Sequence, residues 1–198
     1  VKDASGNLYI ALNSSSPNGG VMKEVRGSLN PLTMDHPGQF FSPVPYRGWI
    51  LQCTPDGKLV PYASGLRSPN GLGFDTVGHL FCTDNQGDWV PTSTLYLVEK
   101  GDFYGQPSSL VWRKDWKGGN PLSMPVATLD SMRTKAVVLF PQGIMASSPT
   151  QPVVDDTHGK FGPFDGQFFV GEMDRPRILR VMLETIDGQL QGACLPFI

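Results

Sequence analysis

The side chains able to do acid, base or metal chemistry are few in this 198-residue chain, and they are scattered. Of its three histidines, His36 sits in Met34-Asp35-His36-Pro37, His79 in a hairpin-type turn, and His158 at the end of Asp155-Asp156-Thr157-His158. The last group puts oxygen and nitrogen ligands in one loop and suits a divalent metal, although Asp-rich loops are more often plain solvated turns. Cys53, Cys82 and Cys194 lack the spacing of a CxxC metal site or a haem attachment site. Cys53 in WILQC and Cys82 in LFCTD lie on apolar, strand-like segments, where buried free thiols are expected rather than a disulfide between them. Trp89, Phe103, Tyr104, Trp112 and Trp116 fall in or beside loops; such rings either stack on the apolar face of a sugar or pack between sheets, and packing is the default expectation.

The elements that must position these residues read as strands. Charged residues are only 17% of the chain, while 23 Gly and 18 Pro punctuate it, a composition that favours short strands joined by many turns. A glycine turn followed by an alternating apolar run recurs as SGNLYIAL (5–12), DGKLVPYA (56–63), VGHLFCTD (77–84) and DGQFFVGE (165–172). Such turns accept positive φ, and the alternation that follows fits a half-buried strand. Further strands are expected at 48–54, 93–99, 135–140 and 177–184, and long loops at 113–125 and 141–159. No long helix is expected.

Repeated hairpins with long insertions predict an all-β chain, a β-propeller with its loops gathered over one face; a β-sandwich is the alternative. The length is short for a closed propeller, residue 1 falls beside a strand turn, and Cys194-Leu195-Pro196-Phe197-Ile198 follows directly on a hairpin. A single domain over 1–198, truncated at both ends and holding a partial set of blades, is therefore expected. The formal charge of −2, with lysines and arginines dispersed, predicts no nucleic-acid partner. No apolar window approaches the roughly 18 residues of a membrane span, and residues 1–12 lack the regions of a signal peptide, so a soluble chain is expected.

Residues 48–107 carry, in order, Gly65-Leu66-Arg67-Ser68-Pro69-Asn70-Gly71, Thr83-Asp84-Asn85-Gln86-Gly87-Asp88-Trp89 and Asp102-Phe103-Tyr104-Gly105-Gln106-Pro107. This stretch resembles the six-bladed propeller of the soluble quinoprotein glucose and sorbosone dehydrogenases. Residues 161–197 resemble a late blade of the branch often fused to cytochrome-type domains. The resemblance implies oxidation of a sugar or polyol with pyrroloquinoline quinone (PQQ) and calcium, electron delivery to a cytochrome c-type domain, and a periplasmic or secreted location.

It also implies roles residue by residue. Arg67 would meet a PQQ carboxylate, for which a planar guanidinium is suited; the alternative is that Arg67 anchors its own loop to a backbone carbonyl or to Asp84. Ser68 stands where the family has Asn. Asn70 joins the cofactor-binding set, although Pro69-Asn70-Gly71 is also a strong turn sequence. Gly87 and Asp88 occupy the positions whose backbone carbonyls face calcium, a composition a solvated turn explains equally. The family's catalytic His would precede residue 1, its assisting Asp is replaced by Asn13, and its quinone-binding Lys by Asp174. Arg175, Arg177 and Arg180 lie nearby, with Arg177 and Arg180 expected on opposite strand faces. These departures keep a second reading open, a propeller acting as a carbohydrate-binding or protein-interaction module of a larger protein, and a lactonase-like calcium propeller is a third.

Overall fold

A computed structural model of the chain describes residues 1–14, 45–87 and 89–198. Eleven strands form three antiparallel sheets among these residues. The first sheet runs β1 (Leu8–Ala11), β2 (Trp49–Cys53), β3 (Leu59–Ser64), and the second β4 (Pro69–Phe74), β5 (Leu80–Asp84), β6 (Ser93–Val98), β7 (Val138–Phe140). The third is β8 (Val153–Val154), β9 (Phe168–Glu172), β10 (Arg177–Ile186), β11 (Gln189–Pro196). Residues 1–3 run antiparallel along the free edge of β1, with Asp3 N–H donating to Asn7 O at 2.9 Å and Tyr9 N–H to Val1 O at 2.8 Å. The expected all-β architecture and every predicted strand are present.

The sheets stack face on face, as propeller blades do. One face of the first sheet, with Tyr9, Ile50 and Ala63, packs on Leu72, Leu80, Cys82 and Tyr96 of the second. The opposite face of the second, with Phe81, Leu95 and Val138, packs on Phe168, Val170, Leu179 and Val181 of the third. Phe81 and Phe168, both essentially inaccessible, meet at a centroid distance of 4.9 Å. Burying each such ring contributes about 1.5–3 kcal/mol. β5 is buried along its whole length because it has a sheet on either side, which is why LFCTD reads as a continuous rather than an alternating apolar run.

Two expectations are corrected. Pro69-Asn70-Gly71 is not a turn; it opens β4, with a register irregularity between Pro69 and Gly71. The glycines serve close approach instead: a Cβ on Gly71 would lie 2.3 Å from Gln151 Cα, and one on Gly73 2.2 Å from Pro152 O, so β4 can lie against the segment entering β8 only without side chains there. The 141–159 loop contains β8, which pairs with β9 through Val153 and Val154. A short helix, α1 (Val126–Met132), follows Pro125 and buries Leu129. Cys53, Cys82 and Cys194 are all free, as expected, and Cys82 is fully buried, but Cys53 is only half-buried.

Candidate functional site

The ends of β1, β5 and β9 and the starts of β4 and β8 share one side of the stacked sheets, and most of the candidate residues gather there. In the fourth of the glycine-initiated runs the sixth residue after the turn glycine is Glu172, and in the third it is Asp84. Both are carboxylates facing back onto the loop that enters their own sheet. Asp84, 5% exposed, accepts the backbone N–H groups of Arg67 at 2.9 Å and Ser68 at 2.7 Å. Glu172 accepts those of Ser147 at 3.1 Å, Ser148 at 3.2 Å and Asp174 at 3.0 Å, with the Arg177 guanidinium 3.7 Å away. At the corresponding position after Gly6 stands Leu12, so the device occurs in two of the three sheets.

The two clamps leave opposite electrostatic signatures. Burial pushes the Asp84 carboxyl up to about 7, against the opposing pull of the Arg67 and Ser68 N–H groups and the Arg67 charge. Burial also acts to raise Glu172, but there the N–H groups of Asp174, Ser147 and Ser148, with Arg177, outweigh it and hold the carboxyl below its ordinary value.

Arg67 is fixed through its main chain. Its carbonyl accepts from Ser14 N–H at 2.9 Å and from the Ser14 hydroxyl at 2.9 Å, while the Ser68 carbonyl accepts from Asn85 N–H at 3.2 Å. Its side chain lies across Gly87, where an added Cβ would come within 3.0 Å of Arg67 Cγ. The expected anchoring of this loop by Asp84 is thus present, but through the Arg67 backbone; among the described residues the guanidinium forms no ion pair, and its buried Nε has no hydrogen-bond partner. Such an orphaned donor on a half-buried cation is the feature here that calls for an anionic partner. The hollow enclosed beside it, lined by Arg67, Asp84, Gly87 and Tyr104, is about 10 Å³, the size of one water, so a larger anion has room only outside it.

The other sequence candidates divide. Asn13 and Ser68 are brought together, Asn13 Nδ2 donating to Ser68 Oγ at 3.2 Å, and Arg47 Nε donates to the Asn13 carbonyl at 3.2 Å. Asn70 is placed beside the site as a brace: its amide donates to Asn85 Oδ1 at 2.8 Å, Ser148 Oγ at 3.1 Å and Pro149 O at 2.9 Å, tying the second sheet to the third. Asn85, Ser148 and Glu172 were not evident from sequence, since their partners lie far along the chain. Gly87 lies against the Arg67 side chain; Asp88 and His36 lie outside the described residues.

The Asp155, Asp156, His158 set does not assemble: Asp155 accepts Thr157 N–H at 2.9 Å, and His158 Nδ1 faces Asp165 at 3.6 Å. Among the described residues no three His, Cys, Asp or Glu side chains group to hold a metal ion. His79 caps its hairpin turn, 2.8 Å from Asp75 Oδ2. Asp174 is exposed, and Arg177 and Arg180 do take opposite faces of β10, Arg177 towards Glu172 and Arg180 over the Phe164 ring at 5.1 Å. Phe103, Tyr104 and Trp112 are core residues, as the packing expectation has it, with Trp89 and Trp116 partly buried against them.

No family model matches the sequence, and no curated protein matches it. Among solved structures, a glucose dehydrogenase matches 100% of this chain over 52% of its own, with a TM-score of 0.60 and 16% identity. The soluble aldose sugar dehydrogenase of Escherichia coli in its apo form matches 97% of this chain over 51% of its own, with a TM-score of 0.57 and 14% identity. An oxidoreductase of Thermus thermophilus, described as a glucose dehydrogenase, matches 77% of this chain over 42% of its own, with a TM-score of 0.50 and 22% identity. The chain spans about half the length of these structures, and its three sheets are part of a propeller-type dehydrogenase fold. No helix among the described residues is long and apolar enough to cross a membrane.

Proposed function

We propose that the chain forms part of a single propeller domain that oxidises a sugar or polyol, with Arg67 holding a carboxylate of pyrroloquinoline quinone. The observation that carries this reading is Arg67, whose main chain is held by Asp84 and Ser14 while its guanidinium forms no ion pair among the described residues and its buried Nε has no hydrogen-bond partner. The quinone, when bound, supplies a two-electron acceptor. The chain's own residues do the rest: Arg67 would offer paired N–H donors to a carboxylate, and Asp84 holds the backbone from which that side chain projects. Ser68 and Asn70 stand beside Arg67, but Asn70 spends its amide on bracing the loops and Ser68 accepts from Asn13, so their part is to hold Arg67's surroundings rather than the cofactor. The Gly87 carbonyl would supply one oxygen ligand to a calcium ion. A periplasmic or secreted location and a cytochrome c-type electron acceptor belong to the same proposal.

A second reading, the non-catalytic carbohydrate-binding or protein-interaction module, is supported by Asn13. Its amide is committed to Ser68 and cannot carry the charge that would stabilise an imidazolium.

Titration of the chain with pyrroloquinoline quinone, with and without calcium, tests the first reading. Saturable binding that weakens by about tenfold or more in Arg67→Ala is expected from loss of a charge-assisted pair. Binding indifferent to that substitution, or none at saturating quinone, would overturn it and leave the module as the working function.

A further inference from the structure

A second, separate hollow lies at the outer edge of the first sheet, away from Arg67. It measures about 620 Å³, within the range of roughly 300–1,000 Å³ typical of small-molecule sites. Its floor is aromatic. Trp49 is held by its indole N–H donating to Ser109 O at 2.8 Å, and Tyr46 meets Trp49 edge-on at 5.7 Å and Trp112 at 6.1 Å. Trp116 and Tyr62, both partly exposed, flank this floor.

Tyr46 adopts φ 61°, a left-handed backbone that a bulky residue takes only under constraint. Its ring is thereby placed against both tryptophans, and strain of this kind collects at functional positions.

The walls are cationic. Lys100, Arg113 and Lys114 line the hollow against one acid, Asp115. Arg113 gives both donors of its fork to Asp115, at 2.9 and 2.8 Å, and so closes one side as a neutral pair. Lys100 and Lys114 are exposed and pair with no acid among the described residues, leaving two uncompensated positive charges at the mouth.

Partly exposed rings offer flat apolar surface to the C–H face of a pyranose, and lysines at the mouth attract anions. We infer that this groove binds an acidic oligosaccharide, a chain of uronic acid units whose sugar faces stack on Trp116 and Tyr62 and whose carboxylates meet Lys100 and Lys114. The site is independent of Arg67 and of the quinone reading.

Calorimetry and tryptophan fluorescence with trigalacturonate, against neutral cellotriose and against polyglutamate, test it. Trigalacturonate is expected to bind saturably, to weaken as sodium chloride is raised, and to lose about tenfold in affinity in Trp116→Ala. Lys100→Gln/Lys114→Gln, at two exposed positions that leave the fold intact, should abolish the preference over cellotriose, while Arg67→Ala should change neither. Equal binding of cellotriose by the unaltered chain, equal binding of polyglutamate, an unaffected lysine double variant, or no saturable binding would each overturn the inference.

Discussion

Asp84 carries the site's most perturbed acid, and the sign of its effect on stability follows from where the proton goes. An unfolded Asp titrates near 3.9 and the folded group near 7, so the native state holds a proton that the unfolded chain has already released. The stabilisation is fully present below about 4 and is lost as pH rises to about 7, a span worth on the order of 4 kcal/mol at most. Glu172 runs the other way, since its lowered folded value adds stability above the ordinary carboxylate range that disappears as the solution is acidified. Urea midpoints of the unaltered chain should therefore fall between about pH 4.5 and 7.5, while Asp84→Asn should show a flat profile over that window. A slope that survives the substitution would assign it to another group.

Between elements, the spacing of the second and third sheets is set by main chain rather than side chains. Gly71→Ala and Gly73→Ala would each drive a methyl to within 2.3 Å or less of the segment around Gln151 and Pro152. Each should cost about 1–3 kcal/mol or more by overpacking. Gly57→Ala is the control, with φ +84° but nothing within 4 Å, so that only backbone strain of about 1 kcal/mol is expected. Thermal melts should rank both strand variants well below the control, and equal melting of all three would show that the sheets can separate to admit a methyl.

The same residues explain what could be read from sequence. Hairpins such as VGHLFCTD announce themselves because turn glycine and apolar run are local, whereas β4 hides behind a turn-like Pro-Asn-Gly whose glycine answers to Gln151, far along the chain. β8 is too short to show a period, and α1 has Pro125 where a capping side chain would signal a start. Arg67 and Asp84 were legible because each lies in a compact motif, Gly65–Gly71 and Thr83–Trp89. The bracing by Asn70, Asn85, Ser148 and Glu172 was not, because it exists only once the sheets stack.

Across the whole molecule, the two outward sheet faces are notably apolar. Leu8 and Leu59 lie in line across the first sheet through Cys53, with Ile10 beside them, and all three are exposed. On the third sheet Phe161, Ile178 and Leu195 are exposed around the ring cluster of Phe164, Phe169 and Phe197. Contiguous apolar surface of this kind drives association. Sedimentation of the 198-residue chain should show mass rising with concentration, and Leu8→Lys/Ile10→Lys combined with Ile178→Lys/Leu195→Lys should return it to a monomer. A monomer at all concentrations before substitution would mean that these faces are too small to associate. The way Asp84 and Glu172 grip their loops has a consequence of another kind. Both carboxylates accept from main-chain N–H groups, which every residue but proline possesses, so the shape of this end of the molecule is insulated from the identity of the side chains displayed on it. Arg67 and Ser147, held here through their main chain alone, can be exchanged while their loops keep their course, and recognition at this end is free to diverge on an unchanging frame.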